Sequence, residues 1–368
     1  MKQGWEYKKI GNICNITTGK LDANAANEDG LYPFFTCSRI PLSINTYAYD
    51  CECILIAGNG DLNVKYYNGK FNAYQRTYIL QLKNNVNGVE MRYIFAFFNL
   101  YIEELRRKSI GGIIKYIKLG DLTNALLPLP DITTQLSIVS ELDKINELIR
   151  LKQEQLKDYD NLAQSIFYEM FGDPVGNEKG WEVKKLGEVC SVGTGSTPNR
   201  KNKEYYEHGI YPWVKSTEVC NLPIYSVEEF ITEEALQNTN CGLYPKDSIL
   251  MAMYGQGKTR GQVGLLKIEA CTNQAVAAIV PSKKINSIFL YRHLMLMYEH
   301  IRDMARGGNQ ANLNLTIVRS IQILLPPLPL QHLFAQRIEQ IERQKSAVQK
   351  SITDLETILA SRMQYWFE

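Results

Sequence analysis

Residues 132–171 read ITTQLSIVSELDKINELIRLKQEQLKDYDNLAQSIFYEMF. Taken in alternating steps of four and three, they give Ile138, Leu142, Ile145, Ile149, Lys152, Leu156, Tyr159, Ala163, Ile166 and Met170. That is a heptad a/d seam with one lysine in it, and the spacing puts all ten on one stripe of a helix. The intervening residues are mostly Glu, Asp, Lys, Gln and Asn, and no Pro or Gly interrupts the run before Gly172. At 1.5 Å per residue the helix would be roughly 60 Å long.

A helix with one narrow apolar stripe cannot bury it alone. The C-terminal end of the chain supplies a partner. The same steps read Phe334, Ile338, Ile341, Lys345, Val348, Ile352, Leu355, Leu359, Arg362 and Trp366, each 196 residues beyond its counterpart in the first run. One antiparallel register matches the seams end to end: Ile138 with Trp366, Ile149 with Leu355, Lys152 with Ile352, Tyr159 with Lys345. Burying each Leu or Ile contributes about 1.5–3 kcal/mol, which outweighs the polar insertions. Lys152 and Lys345 are expected to bury their stems, send their ammonium groups outward and fix the register.

The rest of the chain also repeats. GWEYKKIGNICNITTG from Gly4 recurs as GWEVKKLGEVCSVGTG from Gly180, LYPFFTCS at Leu31 as IYPWVKST at Ile210, and LLPLP at Leu126 as LLPPLP at Leu324. The offset grows by roughly twenty residues inside the globular stretch and is then constant along the helix. Each half is therefore a globular region of variable content followed by a helix of fixed length. The boundaries expected are 1–131, 132–172, 173–329 and 330–368. Similar ends with dissimilar middles suggest one scaffold carrying two recognition surfaces.

Within the globular halves, Cys53 to Ala57, Thr77 to Leu82, Ser248 to Met253 and Gln274 to Val280 read as strands between Gly/Asn turns. Met91 to Lys108 and Ile288 to Arg306 read as helices, each followed by a glycine-bearing loop. Mixed α/β domains are expected.

Composition limits the function. The chain has 368 residues, 45% of them hydrophobic and 22% charged, so it is globular and large enough for two or three domains. Neither a signal-peptide core nor an apolar run of membrane-spanning length is seen, so no membrane partner is expected. The eight cysteines form no CxxC pair, and the four histidines show no ligand-like spacing. A reduced, cytoplasmic protein without a metal or other cofactor is expected. Net charge is +4 over 1–130, −4 over 131–172, +2 over 173–329 and zero over 330–368. Phosphate contacts would have to come from local patches. The candidates are Lys65, Lys70, Arg76 and Lys115 in the first half. In the second they are Arg200, Lys201, Lys203, Lys215, Lys258, Arg260 and Arg306.

Ala252 to Thr259 fits a relaxed phosphate-loop pattern, but Arg260-Gly261-Gln262-Val263-Gly264 follows where a helix should open. A turn between strands, with Lys258 and Arg260 projecting outward, is the expected structure. There is no Asn-Pro-Pro-aromatic motif of an amino-methyltransferase, and no convincing Ser/His/Asp arrangement can be built. The chain reads as non-catalytic.

Globular–helix–globular–helix, with Gly-Trp-Glu-x-Lys-Lys-x-Gly opening each half and Pro-Leu-Pro leading to each helix, resembles the specificity (S) subunit of Type I restriction–modification systems, the HsdS family. Phe171-Gly172-Asp173-Pro174, Asn177 to Trp181, Tyr211 to Lys215 and Asn273-Gln274 add to the likeness. The resemblance implies an α+β fold of two mixed α/β target-recognition domains joined by two long antiparallel coiled-coil-like helices, with an internal pseudo-twofold repeat. It implies that each domain reads one half of a split site in double-stranded DNA. The helices would set the half-site spacing and dock two methyltransferase (M) subunits, through which endonuclease (R) subunits join. Base and phosphate contacts are expected from Arg76 and Lys115, and from Lys215, Lys258, Arg260, Asn273, Gln274, Asn309 and Gln310. The first half departs from the second in having Tyr74-Gln75-Arg76 for Thr272-Asn273-Gln274 and Phe34-Phe35-Thr36 for Trp213-Val214-Lys215. The specificity chain of a fused restriction and modification enzyme, or a two-headed protein-binding scaffold, are the competing readings.

Overall fold

The structure, a computed structural model, describes residues 4–255, 257–305 and 312–368. Two long helices dominate it, a central one at Ile132–Phe171 and a C-terminal one at Leu328–Phe367. Asp131 caps the central helix, its Oδ1 accepting from the Thr134 amide (3.0 Å) and its Oδ2 from the Thr134 hydroxyl (2.6 Å). Gly172, at φ +78°, ends it, donating to the Tyr168 carbonyl as a left-handed cap does. The C-terminal helix starts two residues before the expected 330, because Pro329 is tolerated in a first helical turn.

The chain packs as two compact units. One takes residues up to Glu154 together with Gln349–Glu368, and the other is Gln155–Val348. The cut falls across both long helices, so each unit holds one globular region and half of each helix. The two helices thus pair within each unit. In the first, the Arg362 guanidinium and the Trp366 indole both bond Glu141. In the second, Lys345 Nζ stands 2.6 Å from Asp160. Along the central helix Ile138, Leu142 and Ala163 are buried, and Ile145, Ile149, Lys152, Leu156, Tyr159, Ile166 and Met170 half-buried. Along the C-terminal helix Phe334, Ile338, Ile341, Val348 and Ile352 are buried, and Lys345, Leu355, Leu359, Arg362 and Trp366 half-buried. The Lys345 ammonium does not run out into water as expected. It is held between Asp160 and Glu342, the latter at 3.7 Å.

In the first unit a sheet has the strand order Cys14–Thr18, Thr77–Leu82, Tyr49–Ala57, Val64–Ala73, Tyr32–Phe35, Leu42–Ile44. All its pairings are antiparallel except that of Tyr32–Phe35 with Val64–Ala73. The helix Met91–Lys108 lies against it, burying Ile94, Phe98 and Leu105. Ile138 and Leu142 of the central helix and Phe367 of the C-terminal helix complete that core. Glu6–Lys9 pairs with Leu126–Leu129, bringing the entrance of the region to the strand that leads into the central helix.

The second unit repeats this plan with shorter strands. Its four-stranded sheet runs Val192–Thr194, Val276–Ile279, Ile249–Ala252, Val263–Leu265. Tyr211–Val214 again makes a parallel pair, here with Cys271–Thr272. Val183–Lys185 pairs with Gln322–Leu324, as Glu6–Lys9 does with its partner in the first unit. The helix expected over 288–306 divides at Met297 into Ser287–Leu296 and Tyr298–Met304. The break lets Tyr298 donate to the Lys258 carbonyl (2.6 Å) and Arg302 to the Arg260 carbonyl (3.1 Å). The C-terminal end of each long helix closes the core of the half it does not follow. Phe171 packs on Phe289 at 4.7 Å between ring centroids, and Phe367 on Tyr93 at 5.1 Å.

Two features of the repeat have a packing cause. A Cβ at Gly19 would lie 2.1 Å from the Ala73 carbonyl oxygen, and one at Gly195 1.8 Å from that of Thr272. Both glycines let one backbone cross another. Gln135 and Gln331, both fully buried, serve as matching joints. Gln135 donates to the Pro130 and Gly88 carbonyls and accepts from the Glu90 amide. Gln331 donates to the Pro326 carbonyl and accepts from the Asn286 amide. Each ties the first turn of a long helix to the first turn of its globular helix.

Candidate nucleic-acid interface

In the first unit the loops at the ends of the strands gather Arg76 and Lys115. The Gly58 amide donates to the Arg76 carbonyl (2.8 Å) and the Gly60 amide to the Lys115 carbonyl (3.0 Å). Arg76, Lys115 and the nearby Lys118 are exposed and take part in no ion pair among the described residues. The other two candidates are more engaged. Lys65 is half-buried with its ammonium on Asn63 Oδ1, and burial lowers its pKa. Lys70 lies over the Tyr47 ring, 4.8 Å from its centroid.

In the second unit the matching strand end collects a larger polar cluster. Asn273 donates its amide to the Val214 carbonyl (3.1 Å), and its side chain accepts from the Ala275 amide (3.1 Å), so part of Asn273 is spent on shaping the loop. Gln274 is exposed and accepts from the Thr197 hydroxyl. Lys215 Nζ stands 2.9 Å from both Glu228 and Glu229. Arg200 pairs with the same Glu229 and stacks over Tyr206 and Trp213, 4.6 and 4.8 Å from their centroids. Bonds first from Arg200 and then from Lys215 hold the Glu229 pKa below the usual carboxylate range. Two expected phosphate ligands are therefore neutralised within the chain. Sequence reasoning missed this, since Glu228 and Glu229 lie outside the basic clusters it followed.

Lys201 and Lys258 are exposed and carry no ion pair among the described residues, while Lys203 has Glu207 at 3.9 Å. Arg260 does not simply project outward. It is half-buried, and its Nε is enclosed with no hydrogen bond to any described residue. Arg306, Asn309 and Gln310 lie outside the described residues. The segment with the phosphate-loop pattern turns between the antiparallel strands Ile249–Ala252 and Val263–Leu265, with Gly255, Gly257 and Gly261 at positive φ. No helix follows, so no helix N-terminus faces a phosphate there.

The surroundings do not favour acid–base chemistry. His293 is sealed between Phe167 and Phe289, and burial pushes its pKa down to about 3. The thiols of Cys14, Cys190 and Cys271 are buried and shifted upward by that burial. Among the described residues no cluster of His, Cys, Asp and Glu is placed to hold a metal, and no helix is long and apolar enough to cross a membrane.

The sequence matches the model of the Type I restriction modification DNA specificity domain twice, over residues 2–158 and 178–357. It is 25% identical over 378 residues to the Type I restriction enzyme EcoDI specificity subunit of Escherichia coli, covering 95% of this chain and 84% of that one. Over 292 residues it is 25% identical to the MjaIX specificity subunit of Methanocaldococcus jannaschii, covering 74% and 67%. The fold is similar to the crystal structure of the Type I restriction–modification S subunit from M. genitalium, with a TM-score of 0.61 at 15% identity, covering 100% of this chain and 98% of that chain.

Proposed function

From the premise that the chain belongs to the Type I restriction modification DNA specificity domain family, we infer that it is the non-catalytic specificity subunit of a Type I restriction–modification complex. Residues 1–131 and 173–329 are its two target-recognition domains, and 132–172 and 330–368 the spacer helices. Each domain reads one half of a bipartite site in double-stranded DNA, and the helix pair sets the distance between the halves. Such subunits work in complexes with other subunits. We assign two methyltransferase subunits to this chain, with endonuclease subunits joining through them.

One observation carries the reading: two copies of a DNA specificity domain, built on one plan, present unlike side chains at matching strand ends. Tyr74-Gln75-Arg76 stands in the first copy where Asn273-Gln274-Ala275, one residue further on than the sequence alignment, stands in the second: the Tyr74 and Asn273 amides donate to the matching Phe35 and Val214 carbonyls. Side chains of different hydrogen-bonding capacity read different base edges. On this reading Arg76, Lys115, Lys201 and Lys258 meet phosphate without first breaking an ion pair to a described residue. Lys65, Lys70, Lys203 and Arg260 are further candidates, and Arg200, Lys215, Asn273 and Gln274 act after rearrangement.

Methylome sequencing of the host, with and without the gene for this chain, tests the function. The expected result is one motif of two unlike half-sites at fixed spacing, lost when the chain is removed. An unchanged methylome would overturn the reading. A chain with residues 1–131 replaced by those of a relative should change one half-site and leave the other.

A further inference from the structure

The loop that follows helix Met91–Lys108 ends in an apolar tip. Ile113 is fully solvent-exposed at 104% and Ile114 is exposed at 60%. The loop beneath them is well fastened. Ile110 and Tyr116 exchange both backbone hydrogen bonds, at 3.0 and 2.8 Å. Ile117 donates to the Gly58 carbonyl (3.0 Å) and Tyr78 to the Ile117 carbonyl (3.2 Å). Gly111 turns the chain at φ +122°, where a Cβ would lie 2.5 Å from the Ile114 carbonyl oxygen. Two large apolar side chains are thus held out in water on a built support, and water is an unfavourable place for them.

What surrounds the tip selects its occupant. Lys115 adjoins it in sequence, and Arg76 and Lys118 line the cleft beside Tyr116. None of the three is ion-paired to a described residue, whereas the acidic neighbours are already engaged. Asp61 pairs with Arg39 and Arg106, and Asp121 accepts from the Lys118 amide. An apolar tip rimmed by unneutralised cations matches a surface that is apolar inside and anionic at its edges. A groove of duplex DNA offers this where thymine methyls line its floor or a base step opens to an apolar wedge, between two rails of phosphate.

We propose that Ile113 and Ile114 form an apolar finger of the first recognition domain that seats against bases in the groove of its half-site, with Arg76, Lys115 and Lys118 on the flanking phosphates. This rests on the reading of residues 1–131 as a DNA-reading domain and says how that domain gains base contact beyond hydrogen bonds.

The test uses the full chain co-expressed with its methyltransferase subunits and a duplex carrying the methylome-derived site. The variants are Ile113→Ala with Ile114→Ala, and Lys115→Ala. The double variant should bind the intact site roughly ten- to a hundredfold more weakly, because a groove covers two Ile side chains only in part and the loss is a fraction of full burial. It should lose discrimination of the first half-site only and keep its salt dependence, because isoleucine releases no counterions. Lys115→Ala should instead lower the salt slope by about one. Two further duplexes separate the modes of seating, and a positive result from either supports the finger. Uracil for thymine in the first half-site weakens wild-type binding if methyls are read, and 2-aminopurine there brightens on binding if a base step is opened. Unchanged affinity and unchanged half-site discrimination in the double variant would overturn the finger, as would loss of methyltransferase co-purification with DNA readout intact, which would make the tip a protein contact. Failure of the wild-type complex to prefer any bipartite site would instead refute the DNA-reading assignment beneath it.

Discussion

Arg362 of the C-terminal helix grips Glu141 of the central helix through both Nε and Nη2, the latter at 3.0 Å, while Trp366 donates to the same carboxylate at 3.0 Å. The Trp366 ring in turn stacks parallel to Trp5, at 6.3 Å between centroids, so the opening motif of the chain is tied to its last helical turn. A bidentate arginine fixes orientation as well as distance.

This pair makes stability depend on acid. The bond from Arg362 holds the Glu141 pKa below that of an ordinary glutamate. A depressed carboxylate contributes stability that is fully present above its unfolded pKa, about 4.3, and is lost as pH falls through the lower folded value. Both side chains are about one-third exposed, so the contribution is screened to about 1 kcal/mol. Thermal unfolding of Glu141→Gln should show a lower midpoint at pH 7, with the gap to wild type closing below pH 4.

The buried glutamines give a sharper loss. Replacing Gln135 by Leu strands the Glu90 amide and the Pro130 and Gly88 carbonyls, and each orphaned group costs roughly 1–3 kcal/mol. Gln331→Leu strands the Asn286 amide and the Pro326 carbonyl. Gln135→Leu should lower the denaturation free energy by at least about 3 kcal/mol and Gln331→Leu by at least about 2 kcal/mol. Chemical denaturation of the full chain measures both.

Much of this architecture was legible because helical and repeat periodicity are written directly in side-chain types. Every seam position from Ile138 to Met170 and from Phe334 to Trp366 turns inward, and Thr77–Leu82 and Met91–Lys108 have the bounds that their patterns predicted. The joints were visible in principle, since Gln135 and Gln331 share the 196-residue offset of the seams, but a glutamine in a first helical turn carries no signature of its bonds. The interface was less legible. Charge counts alone do not tell Lys215, bound by two glutamates, from Lys258, which has no ion pair among the described residues. Nothing in the sequence sets Ile113 and Ile114, which the structure leaves exposed, apart from the isoleucines of the core.

Glu229 bonds Arg200 and shares Lys215 with Glu228, so removing its charge should release Arg200 to phosphate while Glu228 still holds Lys215. Glu229→Gln is expected to tighten binding to non-specific duplex DNA and to steepen its salt dependence by about one, since each added phosphate contact adds about one. Lys258→Ala should shift both in the opposite direction, and Arg260→Ala should weaken binding and flatten its salt slope. Titrations between 50 and 200 mM salt, on one random duplex, compare the three.

The register of the helix pair can be fixed covalently. From the Glu141–Arg362 contact, two turns along the central helix lead to Ile149, and two turns back along the C-terminal helix lead to Leu355, both half-buried on facing stripes. Ile149→Cys with Leu355→Cys, in a background with the exposed Cys220 changed to Ser, should form a disulfide within one chain on mild oxidation. The product should run faster on non-reducing gels and unfold at higher temperature, because the link closes a loop of about two hundred residues in the unfolded chain. Moving one cysteine to Glu356 on the exposed face should abolish the link, because a disulfide needs its two Cα atoms within about 7 Å. Linking from position 356 but not 355 would mean that the helices meet on a different stripe, and the pairing of Ile149 with Leu355 would have to be abandoned.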